Sequence, residues 1–228
     1  MPSKDQKMRI KDQVPSAADT DFYLFETMRR EPDAQIVRLD LHLRRLEAAS
    51  RELGFSHDPG RISDALASLP EAGHQQRIRL TLQRDGSCCA RAYPFEPVTD
   101  GTIWTLAIAE TRLSSTDRLL RHKSSRRGAY DAARAEFASE KAQEVLLLNE
   151  KGELCEGTIT SLFVRLDNGP LKTPSLQCGL LAGVLRQSLL ESGQAEETVL
   201  LPDDLAHATE IFVGNSLRGL IRARLDSL

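Results

Sequence analysis

Two ionisable residues, Lys123 and Glu156, have types and a spacing that suit carbonyl chemistry. Lys123 lies in the basic segment 121–127, just ahead of a predicted helix, and Glu156 stands about thirty residues later at the mouth of a predicted strand. A lysine amine that is held near a carbonyl and tuned by its surroundings forms a Schiff base. A carboxylate that stays charged beside a pyridine nitrogen keeps that nitrogen protonated. Taken singly, the basic cluster 118–127 also fits a solvated face or an anion site, and Glu156 also fits an acidic turn.

Three further segments are typical of anion binding. Gly183 is predicted near the N-terminus of a helix, where backbone N–H groups and the helix dipole suit a phosphate. The Gly-Asn-Ser segment 214–216 follows an apolar strand and offers short polar side chains at its end. Arg45 follows His42 by three residues on a predicted helix, and an inward arginine is a good bidentate phosphate ligand. Each segment also has an interpretation without a ligand. Gly183 could serve close packing at a helix start, 214–216 could be a plain turn, and Arg45 could be a surface arginine.

The elements that must position these residues alternate between strands and helices. Strands are predicted at 22–29, 76–83, 88–95, 103–109, 145–148, 161–166, 210–214 and 220–224. One helix is predicted to begin at Asp40 as its cap and to end at Gly54, and others at 59–69, 126–142 and 181–192. This interleaved order, with several hairpins, predicts a mixed α/β fold whose site lies in a cleft between two lobes.

The segment 96–101 is the predicted linker between those lobes. It has the composition of a connection, Glu-Pro-Val-Thr-Asp-Gly, and follows a hairpin that turns at Asp85-Gly86. The predicted division is a small α/β N-terminal lobe at 1–98 and a larger C-terminal lobe at 99–228, which carries Lys123 and the phosphate-type segments. Residues 1–20 are polar and are predicted to be frayed.

The composition argues against several classes of function. The chain has 228 residues, of which 40% are hydrophobic and 28% charged, as in a globular protein with a real core. The net charge of −3 disfavours a general nucleic-acid or acidic-membrane binder. There is no membrane-spanning apolar run and no signal-peptide core, so a cytoplasmic location is predicted. The cysteines form no C-x-x-C pair, which argues against a metal or redox site and predicts buried free thiols at Cys88, Cys89, Cys155 and Cys178.

Six segments occur in the order and at the spacing of one known family. They are 25–29 (Phe-Glu-Thr-Met-Arg), 42–46 (His-Leu-Arg-Arg-Leu), 122–125 (His-Lys-Ser-Ser), 156–163 (Glu-Gly-Thr-Ile-Thr-Ser-Leu-Phe), 183–186 (Gly-Val-Leu-Arg) and 212–219 (Phe-Val-Gly-Asn-Ser-Leu-Arg-Gly). Together they resemble the class IV aminotransferase family, the pyridoxal-phosphate enzymes of fold type IV. The resemblance implies a two-lobed, D-amino acid aminotransferase-like fold, pyridoxal 5′-phosphate as cofactor, and a homodimer whose cofactor cleft lies near the subunit interface.

The resemblance also implies cofactor-directed roles for individual residues. Lys123 is implied to be the Schiff-base lysine and the proton shuttle, and Glu156 to pair with the pyridinium nitrogen. Tyr130 is implied to contact the cofactor or the substrate. The residues implied to hold the phosphate are Arg45, Val184 and Leu185 through their backbone, and Asn215.

Substrate-directed residues follow from the same resemblance. The candidates, which include cationic partners for substrate carboxylates, are Thr27, Arg29, Arg126 and Arg218. The chain also departs from the family pattern. Thr160-Ser161 stands where the family often has Ser-Asn, Arg126 stands where an Asn is common, and the usual N-terminal Tyr-Gly-Asp pattern is absent. The first departure concerns an Asn that the family places near the cofactor ring or its hydroxyl.

The family performs several reactions on one scaffold. Segments 25–29, 122–131 and 213–220 resemble the aminodeoxychorismate lyase branch most, in particular lyase segments fused to the synthase component of 4-aminobenzoate synthesis. The implied activity is release of pyruvate from 4-amino-4-deoxychorismate to form 4-aminobenzoate for folate synthesis, with an aminodeoxychorismate synthase as a possible partner. The alternative is a branched-chain or D-amino acid aminotransferase, which shares the cofactor residues. A remote alternative is a non-enzymatic anion-binding protein that uses the basic cluster 118–127, which leaves Glu156 unexplained.

Overall fold

The chain forms a small and a large β-sheet with helices packed on them. A computed structural model describes residues 22–71 and 73–226, so the prediction for residues 1–20 lies outside the described part. The small sheet is antiparallel and has the order β1 (Leu24–Arg30), β2 (Gln76–Leu82) and β3 (Cys88–Pro94). Strand β1 is joined to β2 through two helices, α1 (Leu39–Leu53) and α2 (Pro59–Ala67).

Alternation along β1 and β2 gives the small sheet one buried face. Leu24, Met28, Ile78 and Leu80 are fully buried and form one cluster with Leu46 of α1. Burying a side chain of this size contributes about 1.5–3 kcal/mol. This face therefore fixes α1 on the sheet, while alternate residues of β1 and β2 line a cavity on the other side.

Helix α1 begins differently from its prediction. Asp40 is not the cap: that position is held by Arg38, whose backbone is left-handed with a φ of 57° and whose side chain makes no capping hydrogen bond. Asp40 lies in the first turn instead, where a negative charge still interacts favourably with the helix dipole. The predicted end is confirmed, because Gly54 follows the helix with a φ of 71°, a conformation that glycine adopts without strain.

The large sheet has eight strands and mixed pairing. In chain order its part of the structure contains β4 (Ile103–Leu113), α3 (Gly128–Ala135), β5 (Glu144–Asn149), β6 (Leu154–Gly157), β7 (Ser161–Arg165), β8 (Leu171–Pro174), α4 (Val184–Glu191), β9 (Ala195–Thr198), α5 (Pro202–His207), β10 (Glu210–Asn215) and β11 (Gly219–Leu225). The spatial order is β6-β5-β4-β11-β10-β7-β8-β9. The pairs β4–β5, β4–β11 and β8–β9 are parallel and the others antiparallel. The predicted mixed α/β class is confirmed.

Two helices are shorter than predicted. The helix predicted at 126–142 spans only Gly128–Ala135. Glu136, the residue that follows it, accepts hydrogen bonds through its carboxylate from the backbone N–H groups of Glu110 and Thr111 on β4. The helix predicted at 181–192 begins only at Val184, since Gly183 before it is extended. Strands β6, β8 and β9 and helix α5 were not predicted; they are four to six residues long and lack a clear period.

The two sheets meet where the segment that carries Lys123 continues the small sheet. The N–H of Phe25 donates to the carbonyl of Lys123 at 3.1 Å, and the N–H of Ser125 donates to the carbonyl of Tyr23 at 2.9 Å. The chain passes from one sheet to the other between β3 and β4, through the segment predicted as a linker. The division at residues 98 and 99 remains a prediction, since this pairing also ties the two parts together.

The cysteines are free thiols with different exposures. Cys155 and Cys178 are buried, as predicted, whereas Cys88 is half-buried and Cys89 is exposed. The burial prediction is wrong for this last pair because both lie on β3, an edge strand of the small sheet. Within the described residues, the helices are all too short or too polar to cross a membrane.

Candidate active site

A cavity of about 670 Å³ lies between the two sheets. Of the eleven residues predicted for the site, ten line this cavity: Thr27, Arg45, Lys123, Arg126, Tyr130, Glu156, Val184, Leu185, Asn215 and Arg218. Arg29 is the exception. It lies further along β1, where its Nε atom is 2.8 Å from the carboxylate of Glu31, and it is not among the described residues that line the cavity.

Lys123 is a half-buried amine among other cations. Burial and the positive charge of Arg45 lower the pKa of the Lys123 amine to about 7, against the opposing charge of Glu26. Its Nζ atom lies 4.8 Å from the ring centroid of Phe25. A substantial fraction of the amine is therefore neutral near pH 7, which is the form that attacks a carbonyl or accepts a proton.

Glu156 is a buried carboxylate held by neutral donors. It lies inside strand β6 rather than at the mouth of a strand, and its Oε1 accepts hydrogen bonds from the Tyr130 hydroxyl at 2.7 Å and from the N–H of Leu181 at 2.9 Å. Burial raises the pKa of Glu156 to about 7, although these two donors favour the charged form. Burial and the adjacent Glu156 also raise the pKa of Tyr130. Glu156 is thus poised to gain or lose a proton according to what stands beside it.

The N-terminus of helix α4 lines the cavity at what we call its anion end. The helix starts at Val184, and its first-turn N–H groups, including that of Leu185, have no acceptor within the helix. Gly183 leaves room there, because a Cβ at this position would stand only 2.6 Å from the Ser161 hydroxyl. The Arg45 Nη1 group donates to the carbonyl of Ala182 at 3.0 Å, so a guanidinium borders the same place. The arrangement is that of an anion site.

Asn215 uses its side chain to shape a turn at this end. Its amide oxygen accepts from the N–H groups of Leu217 and Arg218, and its amide nitrogen donates to the carbonyl of Ile159 at 3.1 Å. The turn between β10 and β11 is thereby fixed against the loop that follows Glu156. Asn215 is in the cavity as predicted, and its contacts within the described chain are to backbone groups.

Glu144 organises that loop and was not predicted. It is fully buried at the start of β5. Its carboxylate accepts from the N–H and hydroxyl of Thr158, from the N–H of Ile159, from the hydroxyl of Thr160 and from the N–H of Val145, at distances of 2.6 to 3.2 Å. An acidic residue at the head of an otherwise apolar, buried strand is the pattern from which this role could have been inferred.

Two arginines of β2 were also missed. Arg77 and Arg79 line the cavity on the same side as Thr27, since β2 pairs with β1 in antiparallel register. The Arg79 guanidinium lies 3.5 Å from the ring centroid of Phe25, and that of Arg77 lies 4.9 Å from the ring of Tyr93. Their alternation along a strand predicted at 76–83 was visible in the sequence, but which face meets the cavity is a property of the fold.

The residues present suit pyridoxal phosphate. Lys123 offers a neutral amine for an aldehyde, and Glu156 a buried carboxylate for a pyridine nitrogen. The helix start at Gly183 offers backbone donors and space for a phosphate. Among the described residues, by contrast, no group of three or more His, Cys, Asp and Glu side chains could hold a metal ion.

A lysine, a buried carboxylate and an anion site in one cavity are typical of pyridoxal-phosphate enzymes, and comparison with known proteins identifies the family. The family described as amino-transferase class IV matches residues 23–225. The chain belongs to this family and is an enzyme of the pyridoxal-phosphate-dependent kind. Its predicted fold type IV architecture is shared with the solved 4-amino-4-deoxychorismate lyase of Pseudomonas aeruginosa, which has a TM-score of 0.78 at 24% identity and covers 98% of this chain and 88% of that one.

Two relatives are closer in sequence. A protein of Schizosaccharomyces pombe named "Putative aminodeoxychorismate lyase" is 32% identical over 211 residues, which are 89% of each chain. A solved "Putative amino-acid aminotransferase" from Mesorhizobium loti is 51% identical, with a TM-score of 0.86 over 90% of this chain and 100% of that one. The names of the relatives thus include both a lyase and an aminotransferase.

Proposed function

We propose that this enzyme is a 4-amino-4-deoxychorismate lyase, which converts its substrate into 4-aminobenzoate and pyruvate. The observation that carries the proposal is the cluster of cations on the substrate side of the cavity. Arg77, Arg79 and Arg218 all line it, and burial together with the charge of Arg77 lowers the pKa of Arg218. The substrate has two carboxylates, which pair well with guanidinium groups. A branched-chain side chain would call for an apolar wall instead.

The cofactor-directed residues would act in the same way for any member of the family. Pyridoxal phosphate, when bound, supplies an aldehyde and a ring that withdraws electrons. Lys123 would hold the aldehyde and move protons at the carbon that carries the substrate amine. Glu156 would keep the pyridine nitrogen protonated, and Tyr130 would orient Glu156 through its 2.7 Å hydrogen bond.

The two ends of the cavity divide the remaining roles. The phosphate would be bound by the helix start, Arg45 and the turn at Asn215, with backbone donors at Val184 and Leu185. The substrate side would be formed by Thr27, Arg126 and Arg218, with Arg77 and Arg79 added from β2. We assign no substrate contact to Arg29, because Glu31 pairs with it outside the cavity.

The test is a product assay on the purified chain with pyridoxal phosphate and aminodeoxychorismate. Release of 4-aminobenzoate and pyruvate in equal amounts is expected, together with loss of turnover in Lys123→Ala but not in the exposed control Lys151→Ala. No release from protein that binds the cofactor would reject the lyase in favour of an aminotransferase, which a screen of amino donors would then identify. Turnover in Lys123→Ala would reject the assignment of this lysine.

We also propose the assembly and location that go with this activity. The protein would be a cytoplasmic homodimer, alone or associated with an aminodeoxychorismate synthase that supplies its substrate. Analytical ultracentrifugation of the purified chain tests the dimer, and a sedimentation coefficient of a monomer at micromolar concentration would contradict it. Co-purification with the synthase tests the partner.

A further inference from the structure

Glu26 is a buried charge in the middle of a core strand. It lies on β1 between Leu24 and Met28, both fully buried, and is itself 1% exposed. Burying a lone carboxylate is costly, so such a residue is retained only with strong partners. Although burial raises the pKa of Glu26, the charges of Arg45 and His42 lower it further, to about 2. Glu26 is therefore an anion at neutral pH.

Its partners are two residues of helix α1, one turn apart. Arg45 donates from Nε to Glu26 Oε1 at 2.8 Å and from Nη2 to Glu26 Oε2 at 2.5 Å. The Nδ1–H of His42 donates to the same Oε2 at 2.6 Å. One carboxylate thus fixes both the plane of the guanidinium and the orientation of the imidazole ring.

Each partner then reaches a different wall of the anion end of the cavity. The Arg45 Nη1 group donates to the carbonyl of Ala182, immediately before the start of helix α4. The His42 Nε2 atom shares a hydrogen bond of 2.8 Å with the hydroxyl of Ser216, in the turn between β10 and β11. Glu26 therefore stands at the point from which contacts run to both segments that would surround the phosphate.

We propose that Glu26 is a positioning residue for phosphate binding, which acts by holding Arg45 and His42 against the segments at Ala182 and Ser216. The inference rests on the proposed function in one respect, since it takes this end of the cavity as the phosphate site. A guanidinium has five N–H groups, and three of those of Arg45 are used in these bonds, which leaves two for a ligand. Glu26 makes that orientation the stable one before any ligand arrives.

The substitution Glu26→Gln tests this role with little change in volume. Both oxygens of Glu26 accept from Arg45. Whichever oxygen the glutamine amide nitrogen replaces, it faces an N–H group of Arg45, so the guanidinium must turn away. The matched control is Glu210→Gln, because Glu210 also joins two arginines, Arg165 and Arg222, but at the surface away from the cavity.

The readout is the affinity of the full chain, freed of bound ligand, for pyridoxal phosphate and for pyridoxal, measured by absorbance titration. Pyridoxal keeps the aldehyde and the ring but lacks the phosphate. Glu26→Gln is expected to weaken pyridoxal phosphate binding at least about tenfold, the effect of losing one hydrogen bond to a charged group, and to change pyridoxal binding less than about twofold. Inorganic phosphate is expected to compete with pyridoxal phosphate in the wild type and less well in the variant.

Other outcomes are equally informative. Unchanged binding of both ligands, or equal weakening of both, would overturn the proposal, because a merely structural role does not discriminate between them. If Glu26→Gln does not fold, Glu26→Asp decides, since it keeps the charge but shortens the side chain by one methylene, cannot hold Arg45 and His42 together, and should show the same selective loss. A wild type that binds pyridoxal phosphate but forms no 4-aminobenzoate would reject the lyase and leave the Glu26 result to be judged by itself, whereas a wild type that binds no pyridoxal phosphate would reject both.

Discussion

The most direct test of the electrostatics is the pH dependence of stability in Glu156→Gln. The pKa of Glu156 is about 7 in the folded chain, compared with 4.5 for an ordinary glutamate. Because the folded state holds this proton more tightly than the unfolded state, its contribution to stability is complete below pH 4.5 and is lost as the pH rises to about 7. At about 1.4 kcal/mol for each pKa unit, the full loss is about 3 kcal/mol.

Glutamine cannot ionise, so the variant lacks this pH-dependent loss. The free energy of unfolding of Glu156→Gln, measured by urea denaturation without cofactor, should rise relative to the wild type by about 2.5 kcal/mol between pH 5 and pH 8. The absolute offset between the two proteins also contains the altered bonds to Tyr130 and Leu181. The slope with pH does not, and it is therefore the quantity to compare.

The lowered pKa of Lys123 has the opposite effect on stability, so its contribution has to be separated from that of Glu156. Its folded pKa of about 7 lies below the usual 10.5, so its contribution is present above pH 10.5 and is lost as the pH falls through 7. That loss occurs in the wild type and in Glu156→Gln and so largely cancels in their difference. Glu47→Gln, on the exposed side of α1, serves as the control and should track the wild type. A difference between Glu156→Gln and wild type that stays constant within about 0.5 kcal/mol from pH 5 to pH 8 would refute the reasoning.

Three further outcomes follow from contacts in the cavity wall. Tyr130→Phe removes a donor from charged Glu156, so the midpoint of the same stability curve should move up by about 1–2 pH units; an unmoved midpoint would contradict the assigned bond. Glu144→Ala leaves several buried donors without an acceptor and should lower the free energy of unfolding, measured by urea denaturation, by at least about 3 kcal/mol. A loss of less than about 1 kcal/mol would contradict the role given to Glu144. Gly183→Ala places a Cβ 2.6 Å from the Ser161 hydroxyl and should lower the free energy of unfolding by about 1–2 kcal/mol. The double variant with Ser161→Ala should regain most of that stability, and an equal loss with and without the hydroxyl would contradict the assigned clash.

Local patterns were sufficient to predict much of the fold. The hairpin of β2 and β3 follows from alternation around Asp85-Gly86, and the end of α1 follows from Gly54, because these features depend on residues close in the chain. The end of α3 does not, since it coincides with a contact that is distant in sequence, between the Glu136 carboxylate and the backbone of β4. The prediction that Asp40 caps α1 was likewise wrong. The capping position is held by Arg38, whose left-handed conformation is not one that its residue type favours.

The candidate site divides in the same way. Lys123 and Glu156 could be selected from the sequence because their types suit chemistry on a ligand. Arg77 and Arg79 could not, since their presence in the cavity depends on how one sheet faces the other. Arg29 is a residue that the sequence suggested and the structure does not place in the site. Its position in a matching segment suggested a substrate contact, but it pairs with Glu31 outside the cavity.

Three buried carboxylates show how the surroundings of one residue type separate its roles. Glu26 is matched by Arg45 and His42, which hold its pKa at about 2, so it is charged at neutral pH and serves to position its neighbours. Glu144 accepts bonds from backbone and hydroxyl groups of one loop, so removing it would release that loop. Glu156 accepts hydrogen bonds from the neutral donors of Tyr130 and Leu181, and its pKa of about 7 leaves its charge to be decided by what binds beside it. A cationic ring nitrogen would stabilise that charge, and of the three carboxylates only Glu156 lines the cavity where such a ring would lie.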